Sequence, residues 1–346
     1  MFKRLLLTFV VFSSAKAFAS SPVEAAIVVN AKNGEVIYSR AADQKTQPAS
    51  LTKMMTLLLM FKALRQKKIS ANTKIRVSAF AASQSPSILS LKAGETITVR
   101  NAILALVVKS ANDVAVAVAE HIGKTEKNFV DMMNKEARRL GMSSTIFFNA
   151  SGWKNTRQLS SARDMAKLAS ALLKEYSDYY HFFSNKEFSI ENKRIKGHNA
   201  LLGKRGDILV DGIKTGYVAA SGFNVAASAV KGKIRLIVVV LGGKTSAERN
   251  ALALSLFKKG FSKLQAREAL AKVRRRKISS VLKEELKPAS PPSGIYNKIS
   301  EASKNDEADK EQKTPATSPS GIYNKINEAP KSKEGNNEQN DHNAVK

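Results

Sequence analysis

The order of predicted elements points to an α+β domain in which one antiparallel sheet takes strands from both ends of the domain's sequence. Three observations carry that expectation. Residues 24–40, EAAIVVNAKNGEVIYSR, read as a strand hairpin; residues 51–176 are dominated by apolar runs with helical spacing; and residues after 186 return to strand-like runs before a closing helix.

At the start of the chain, MFKR supplies a basic segment, LLLTFVVF an apolar run, and AFA at 17–19 a small-x-small cleavage signature, so residues 1–19 are expected to be a secretory signal. In the hairpin, AAIVV and EVIYS are the strands and Asn33-Gly34 the turn. Residues 51–65 form a buried helix, 74–78 a short strand, and 87–100 a loop and strand with Gly94 in a turn. A second helical region, 101–119, is interrupted by SAND at 110–113. A third runs from about Glu126 to Leu140 and stops at Gly141. MSSTIFFNASGW is loop-like, and 160–176 is a helix capped by Ser160 or Ser161, with Asp164 in its first turn. KEFSI, DILVDGIKTG, GFNVAASAV and KIRLIVVVLGG are strands, and SAERNALALSLFKKGFSKL returns to helix. The core-forming rhythm ends near residue 265. Residues 266–287 read as a basic helical extension, and 288–346 as a polar tail expected to be disordered. Within that tail PSGIYNKISEA (292–302) recurs as PSGIYNKINEA (319–329), a duplicated linker or a short docking motif anchored by Ile295/Tyr296 and Ile322/Tyr323.

Composition excludes several functions. At 346 residues and 43% hydrophobic, the chain can bury a sizeable core, yet no run after the signal is long enough to span a bilayer. With no cysteine there are no disulfides, thiolate ligands or cysteine nucleophile, and four histidines, at 121, 181, 198 and 342, argue against a histidine-rich metal site. The formal charge of +28 comes without any nucleic-acid-binding motif. An anionic envelope surface is the simpler partner for an exported chain.

Three short clusters can carry chemistry. In PASLTKMM (48–55), Ser50 and Lys53 share a helical face, and Lys53 sits in a first turn, where the dipole favours anions. On its own the pair reads first as a cap serine beside a snorkelling lysine. As chemistry, a desolvated neutral Lys53 would take the proton from Ser50 Oγ during attack on a carbonyl. In AILALVVKSANDVAVAVAEH, Ser110 and Asn112 interrupt an apolar background and must find partners; a capped junction with Asn112 and Asp113 on the backbone is the competing explanation. In DGIKTG (211–216), Lys214-Thr215-Gly216 presents a cation and a hydroxyl from a strand, with Gly216 permitting close approach, although such a tripeptide alone is commonly a turn. Together, S-x-x-K, S-x-N and K-T-G form the motif set shared by class A β-lactamases and penicillin-binding proteins.

PASLTKMMT, VKSANDVAVAVAEHI, FVDMMNKEARRLGM, LSSARDMA and VDGIKTGY all resemble segments of the low-molecular-mass penicillin-binding proteins, the serine-type D-alanyl-D-alanine carboxypeptidases of peptidase family S11. The resemblance runs from about Glu24 to Lys263. It implies a penicillin-binding-protein/β-lactamase-like transpeptidase fold, with helices on both sides of the sheet, a helical subdomain, and a catalytic domain over 20–265. It also implies a periplasmic, cofactor-free and metal-free enzyme that removes the terminal D-alanine from peptidoglycan stem pentapeptides, with β-lactams as covalent inhibitors. Ser50 would be the nucleophile, Lys53 the general base, Ser110 a proton relay and Asn112 an orienting group. Lys214 and Thr215 would receive the substrate carboxylate, with Arg249 a second contact, while Gly216 borders the substrate and the Ser50 and Tyr217 N–H groups form the oxyanion hole.

The chain departs from relatives at Val218, where threonine is common, and at His198, where arginine often stands. Many relatives also append a small β-rich domain and an amphipathic membrane-binding helix; here the chain passes through VRRRKISS into the polar tail, and Arg274-Arg275-Arg276-Lys277 could hold it to an anionic membrane surface. A class A β-lactamase would need a glutamate in the loop after the second motif, and FFNASGWKNTR (147–157) has none. A D,D-endopeptidase of the same family and a non-catalytic peptidoglycan-binding or scaffolding protein remain as alternatives.

Overall fold

The computed structural model describes residues 25–286. The expected signal at 1–19 and the tail from 288 onward lie outside them. The chain divides into two units, Met1–Ser280 and Val281–Lys346. The first holds the sheet and its packed helices; of the second, the described residues are helical up to Glu285.

β1 (Ala25–Asn30) and β2 (Val36–Arg40) form the expected hairpin. Its turn is closed by Gly34 N–H donating to the Asn30 carbonyl and Glu35 N–H donating to Asn33 Oδ1. Gly34 takes φ +79°, a conformation open to glycine at no steric cost. α1 (Lys53–Arg65) comes after a single 3-10 turn at Ala49–Thr52. Ser50 lies inside that turn, and no side chain caps either segment. The ordinary explanation for Ser50, a helix cap, therefore does not hold.

β3 (Lys74–Arg76), α2 (Ala79–Ala82) and β4 (Thr96–Thr98) lead into α3 (Val99–Leu104). The expected interruption at 110–113 is a change of helix type. α3 widens into one π turn at Ala105–Lys109, Ser110 flips to a left-handed conformation (φ 61°, ψ 37°), and α4 (Asn112–Gly123) begins two residues later. α5 (Glu126–Arg139) and α6 (Ala162–Glu175) are amphipathic, α6 being capped by Ser161, whose side chain accepts the Asp164 N–H.

After α7 (Ser177–Tyr180) come the small hairpin β5 (Glu187–Ile190) and β6 (Lys193–Lys196), then β7 (Gly203–Arg205), β8 (Ile208–Val218), β9 (Gly222–Lys231) and β10 (Ile234–Gly243). The main sheet has the order β2-β1-β10-β9-β8-β7, every neighbouring pair antiparallel, so the first and last strands among the described residues, β1 and β10, pair inside it. Alternation along β1 sets the two layers. Ala25, Ile27 and Val29 face a core shared with α1, α4 and α6, whereas Ala26 and Val28 face Phe257, Phe261 and Leu264 of α8 (Ser246–Glu285). Each fully buried Val, Leu, Ile, Phe or Met side chain contributes about 1.5–3 kcal/mol.

α8 is longer than the closing helix expected from the sequence, and the basic stretch is part of it. Leu264 is its last buried side chain among the described residues, and Arg274–Lys277 are exposed. Among the described residues, no helix is long and apolar enough to cross a membrane.

Candidate active site

The π turn and left-handed Ser110 set the start of α4 against the start of α1. A non-glycine residue held at positive φ costs on the order of 1–3 kcal/mol and persists only where its surroundings enforce it. Here two neighbours enforce it. Asp113 accepts the N–H groups of Leu89, Ser90 and Val114, and Asn112 N–H donates to the Ser87 carbonyl. The backbone bonding foreseen for a capped junction is therefore present, and Asn112 shares in it through its amide nitrogen while its oxygen serves another partner.

Asn112 Nδ2 donates to the Pro86 carbonyl at 2.6 Å, and Asn112 Oδ1 turns towards Lys53. Lys53 is wholly buried, against the expectation for a snorkelling lysine. Its Nζ donates to Asn112 Oδ1 at 2.6 Å and to the Ser151 carbonyl at 2.6 Å, and lies 3.2 Å from Ser50 Oγ. Burial holds this amine well below lysine's ordinary value, the Lys214 charge adds to the effect, and Asp113 opposes it. A neutral amine has two hydrogens and one lone pair. In this structure Nζ donates to Ser50 Oγ as well; once neutral, with its two hydrogens on the short contacts, the amine would turn its lone pair to the Ser50 hydroxyl.

β8 passes along the other side of Ser50. A Cβ on Gly216 would lie 2.9 Å from the Ser50 nitrogen and 3.1 Å from Leu51 Cδ1, so only glycine lets the strand approach this closely. Lys214 is buried, donates to the Thr215 carbonyl at 2.9 Å, and is lowered to about 7 by burial and by the Arg249 charge. Arg249, on α8, donates to the Asn224 carbonyl at 2.8 Å and to Asn250 Oδ1 at 3.0 Å. It is lowered to about 10 by burial. Two buried basic groups close enough to feel each other's charge, with no carboxylate paired to either among the described residues, make a site for an anion.

These groups open onto a cleft of about 360 Å³ lined by Ser50, Ser110, Lys214, Thr215, Tyr217 and Arg249, among others. Lys53 and Asn112 stand behind Ser50, joined to it by the hydrogen bonds above. The structure therefore gathers all the residues nominated by the three motifs, together with Arg249, at one place. Ser110 Oγ is buried at the cleft wall and makes no hydrogen bond among the described residues. Tyr217 is half exposed at the mouth, its ring 4.4 Å from that of Phe223. His198 also lines the cleft, its imidazole lowered by burial and by the charges of Lys214 and Lys109. A groove between α1 and α5 is larger, about 700 Å³, but its lining contains no serine or other nucleophile beside a base. Among the described residues no cluster of His, Asp and Glu gathers that could ligate a metal.

One partner of Lys53 was not legible from the motifs. The Ser151 carbonyl belongs to the loop between α5 and α6, and a backbone acceptor carries no side-chain signature. A faint signal was Gly152 beside it. Its φ is +84°, and a Cβ there would fall 1.9 Å from the Ala49 carbonyl oxygen. The loop is pressed against the Ser50 turn.

A model of the D-alanyl-D-alanine carboxypeptidase family, peptidase S11, matches residues 13–245. The D-alanyl-D-alanine carboxypeptidase DacF of Bacillus subtilis is 36% identical over 253 residues, 70% of this chain and 63% of DacF. Across the first three curated relatives the chain spans 57–63% of their length. Among solved structures, penicillin-binding protein 5 of Haemophilus influenzae aligns with a TM-score of 0.65 at 31% identity, covering 69% of this chain and 70% of that one. Penicillin-binding protein D2 of Listeria monocytogenes, solved in an ampicillin-bound form, aligns with a TM-score of 0.60 at 29% identity, covering 68% and 96%.

Proposed function

The chain belongs to the D-alanyl-D-alanine carboxypeptidase family, peptidase S11, and from that premise we propose that it is a serine-type D,D-carboxypeptidase acting on peptidoglycan stem peptides in the periplasm. The observation that carries this reading is the bonding of buried Lys53, whose Nζ meets Asn112 Oδ1 and the Ser151 carbonyl at 2.6 Å each and Ser50 Oγ at 3.2 Å, so that a neutral amine holds its lone pair for Ser50.

The chemical steps are set by that arrangement. The substrate's terminal carboxylate seats against Lys214, Thr215 and Arg249, which sets the penultimate carbonyl over Ser50. Lys53 Nζ takes the Ser50 proton as Oγ bonds the carbonyl carbon, and the N–H groups of Ser50 and Tyr217 stabilise the oxyanion. The C–N bond breaks, the leaving D-alanine amine receives its proton by way of Ser110, and the acyl group remains on Ser50. Water then attacks the ester carbonyl: its hydroxyl joins the acyl carbon as the C–Oγ bond breaks, and its proton passes by way of Lys53 to Ser50 Oγ. A β-lactam enters the same path. Its ring opens on Ser50, no leaving group departs, and the adduct persists. The ampicillin-bound form of the Listeria relative supports this extension.

A D,D-endopeptidase would use the same groups with a cross-linked peptide. The test is incubation with a stem pentapeptide and with a cross-linked muropeptide, followed by separation of free D-alanine from cleaved cross-links. A carboxypeptidase releases D-alanine, and Ser50→Ala abolishes that release. Cross-link cleavage alone would transfer the assignment to the endopeptidase, and turnover of neither would leave a binding protein. The exposed cations of Arg274–Lys277 suit peripheral contact with an anionic membrane surface.

A further inference from the structure

Glu126 stands at the first turn of α5, where an acidic side chain is commonplace because it complements the helix dipole. Its hydrogen bond is less ordinary. Glu126 Oε1 accepts the N–H of Ala150, far along the chain, at 2.9 Å. The Ala150 carbonyl accepts the Thr56 hydroxyl at 2.7 Å, and Thr56 lies on α1 one turn beyond Lys53. The next carbonyl, of Ser151, is the one that accepts from Lys53.

The peptide groups on both sides of Ala150 are thus tied down, and the acceptor for the base hangs from them. The rest of the loop is fixed as well. Asn149 Oδ1 accepts the Gly152 N–H at 2.7 Å, and Gln158 takes the Phe148 and Asn149 N–H groups while donating to Thr52 Oγ1. These bonds shape the loop. Asn149 holds the Gly152 N–H of the acceptor's own peptide group from within the loop, whereas, among the described residues, Glu126 and Thr56 tie the preceding Ala150 to separate helices, α5 and α1. Burial raises the Glu126 carboxyl, the Ala150 bond opposes that, and the Glu120 charge adds to it.

We infer that Glu126 is a positioning residue for acylation, acting with Thr56 through the Ala150–Ser151 backbone to hold the Ser151 carbonyl where it fixes one hydrogen of Lys53 and so aims the amine lone pair at Ser50. The inference rests on Lys53 as the base in the proposed function. Glu126 touches neither Ser50 nor Lys53, so its effect falls on the rate of the chemical step and leaves ligand binding alone.

The experiment is rapid-quench labelling of the purified chain by a fluorescent penicillin. It yields the rate constant at saturation, the half-saturating concentration and the final labelled fraction, with melting temperature measured alongside. Glu126→Ala is expected to lower the saturating rate constant about 10- to 100-fold, the scale of an ångström-sized misplacement. Its half-saturating concentration and final labelling should match the parent protein. Glu126→Gln retains the acceptor oxygen and should restore the rate to within about twofold. If Glu126→Ala does not fold, Thr56→Val, which removes the other tether at constant shape, takes its place with the same expectation. A purely structural role would lower the melting temperature or the labelled fraction and leave the rate constant of labelled molecules at its parent value; that result overturns the inference. Failure of the parent protein to label would overturn the proposed function instead, and labelling that survives Ser50→Ala would do the same.

Discussion

The Lys53 amine and the Asn112 side chain, 59 positions apart in sequence, meet at 2.6 Å in a space closed to solvent. Asn112 is anchored through its own amide to Pro86, so it presents a fixed acceptor. Leaving a buried donor without its acceptor costs about 1–3 kcal/mol, so Asn112→Ala is predicted to slow penicillin acylation of Ser50 about 10- to 100-fold. Stopped-flow labelling checks this. A parent-like rate would mean that Asn112 does not orient the base.

Lys214 gives a pH prediction. Its folded value, about 7, lies below the ordinary 10.5, so between those limits the unfolded chain binds more protons than the folded one. Stability should therefore rise with pH through that window, by up to about 1.4 kcal/mol per pH unit from this group. Urea unfolding at pH 7 to 10 should show the rise, and Lys214→Met should reduce it. In the same variant, loss of a neighbouring cation lets the Lys53 value climb. The acidic limb of acylation, which marks protonation of Lys53, should move to higher pH. A limb that stays in place would separate the two lysines.

Arg249 is predicted to serve the substrate's carboxylate. Arg249→Gln should raise KM for the free-acid pentapeptide about 10- to 100-fold and change kcat less. A C-terminally amidated peptide supplies the control: the parent enzyme should discriminate against it, and the variant should discriminate much less. Undiminished discrimination would assign the carboxylate to Lys214 and Thr215 alone.

Gly152→Ala adds one carbon where none fits, 1.9 Å from the Ala49 carbonyl oxygen and at φ +84°. The left-handed conformation alone costs an alanine about 1–2 kcal/mol, and the clash adds to it. Urea unfolding should show a loss of at least about 2 kcal/mol, with a reduced penicillin-labelled fraction. Parent-like stability would show that the loop and the Ser50 turn are not pressed together.

The sheet was legible because its strands announce themselves: Asn33-Gly34 sets a turn, and the apolar run of β10 has room only at the centre of a sheet. The motif residues were legible as a set, because Lys53 makes sense as a buried amine only if something like Lys214 and Asn112 surrounds it. What the sequence hid was carried by the backbone. The Ser151 carbonyl has no residue-type signature, the π turn before Ser110 has the same apolar pattern as an α-helix, and Glu126 looks like any acid opening a helix. The 3-10 turn at Ala49–Thr52 was hidden for the same reason, since its spacing differs from an α-helix by less than one residue per turn. Local pattern records what a residue buries. It does not record which carbonyl a distant loop will deliver.

Ser50 as nucleophile, activated by Lys53, is the central claim. Mass spectrometry of the intact protein after brief exposure to a penicillin, followed by peptide mapping, tests it most directly. The predicted result is one adduct of the drug's full mass on the peptide containing Ser50, absent in Ser50→Ala and strongly slowed in Lys53→Met. An adduct on any other residue, or undiminished labelling in Lys53→Met, would contradict it.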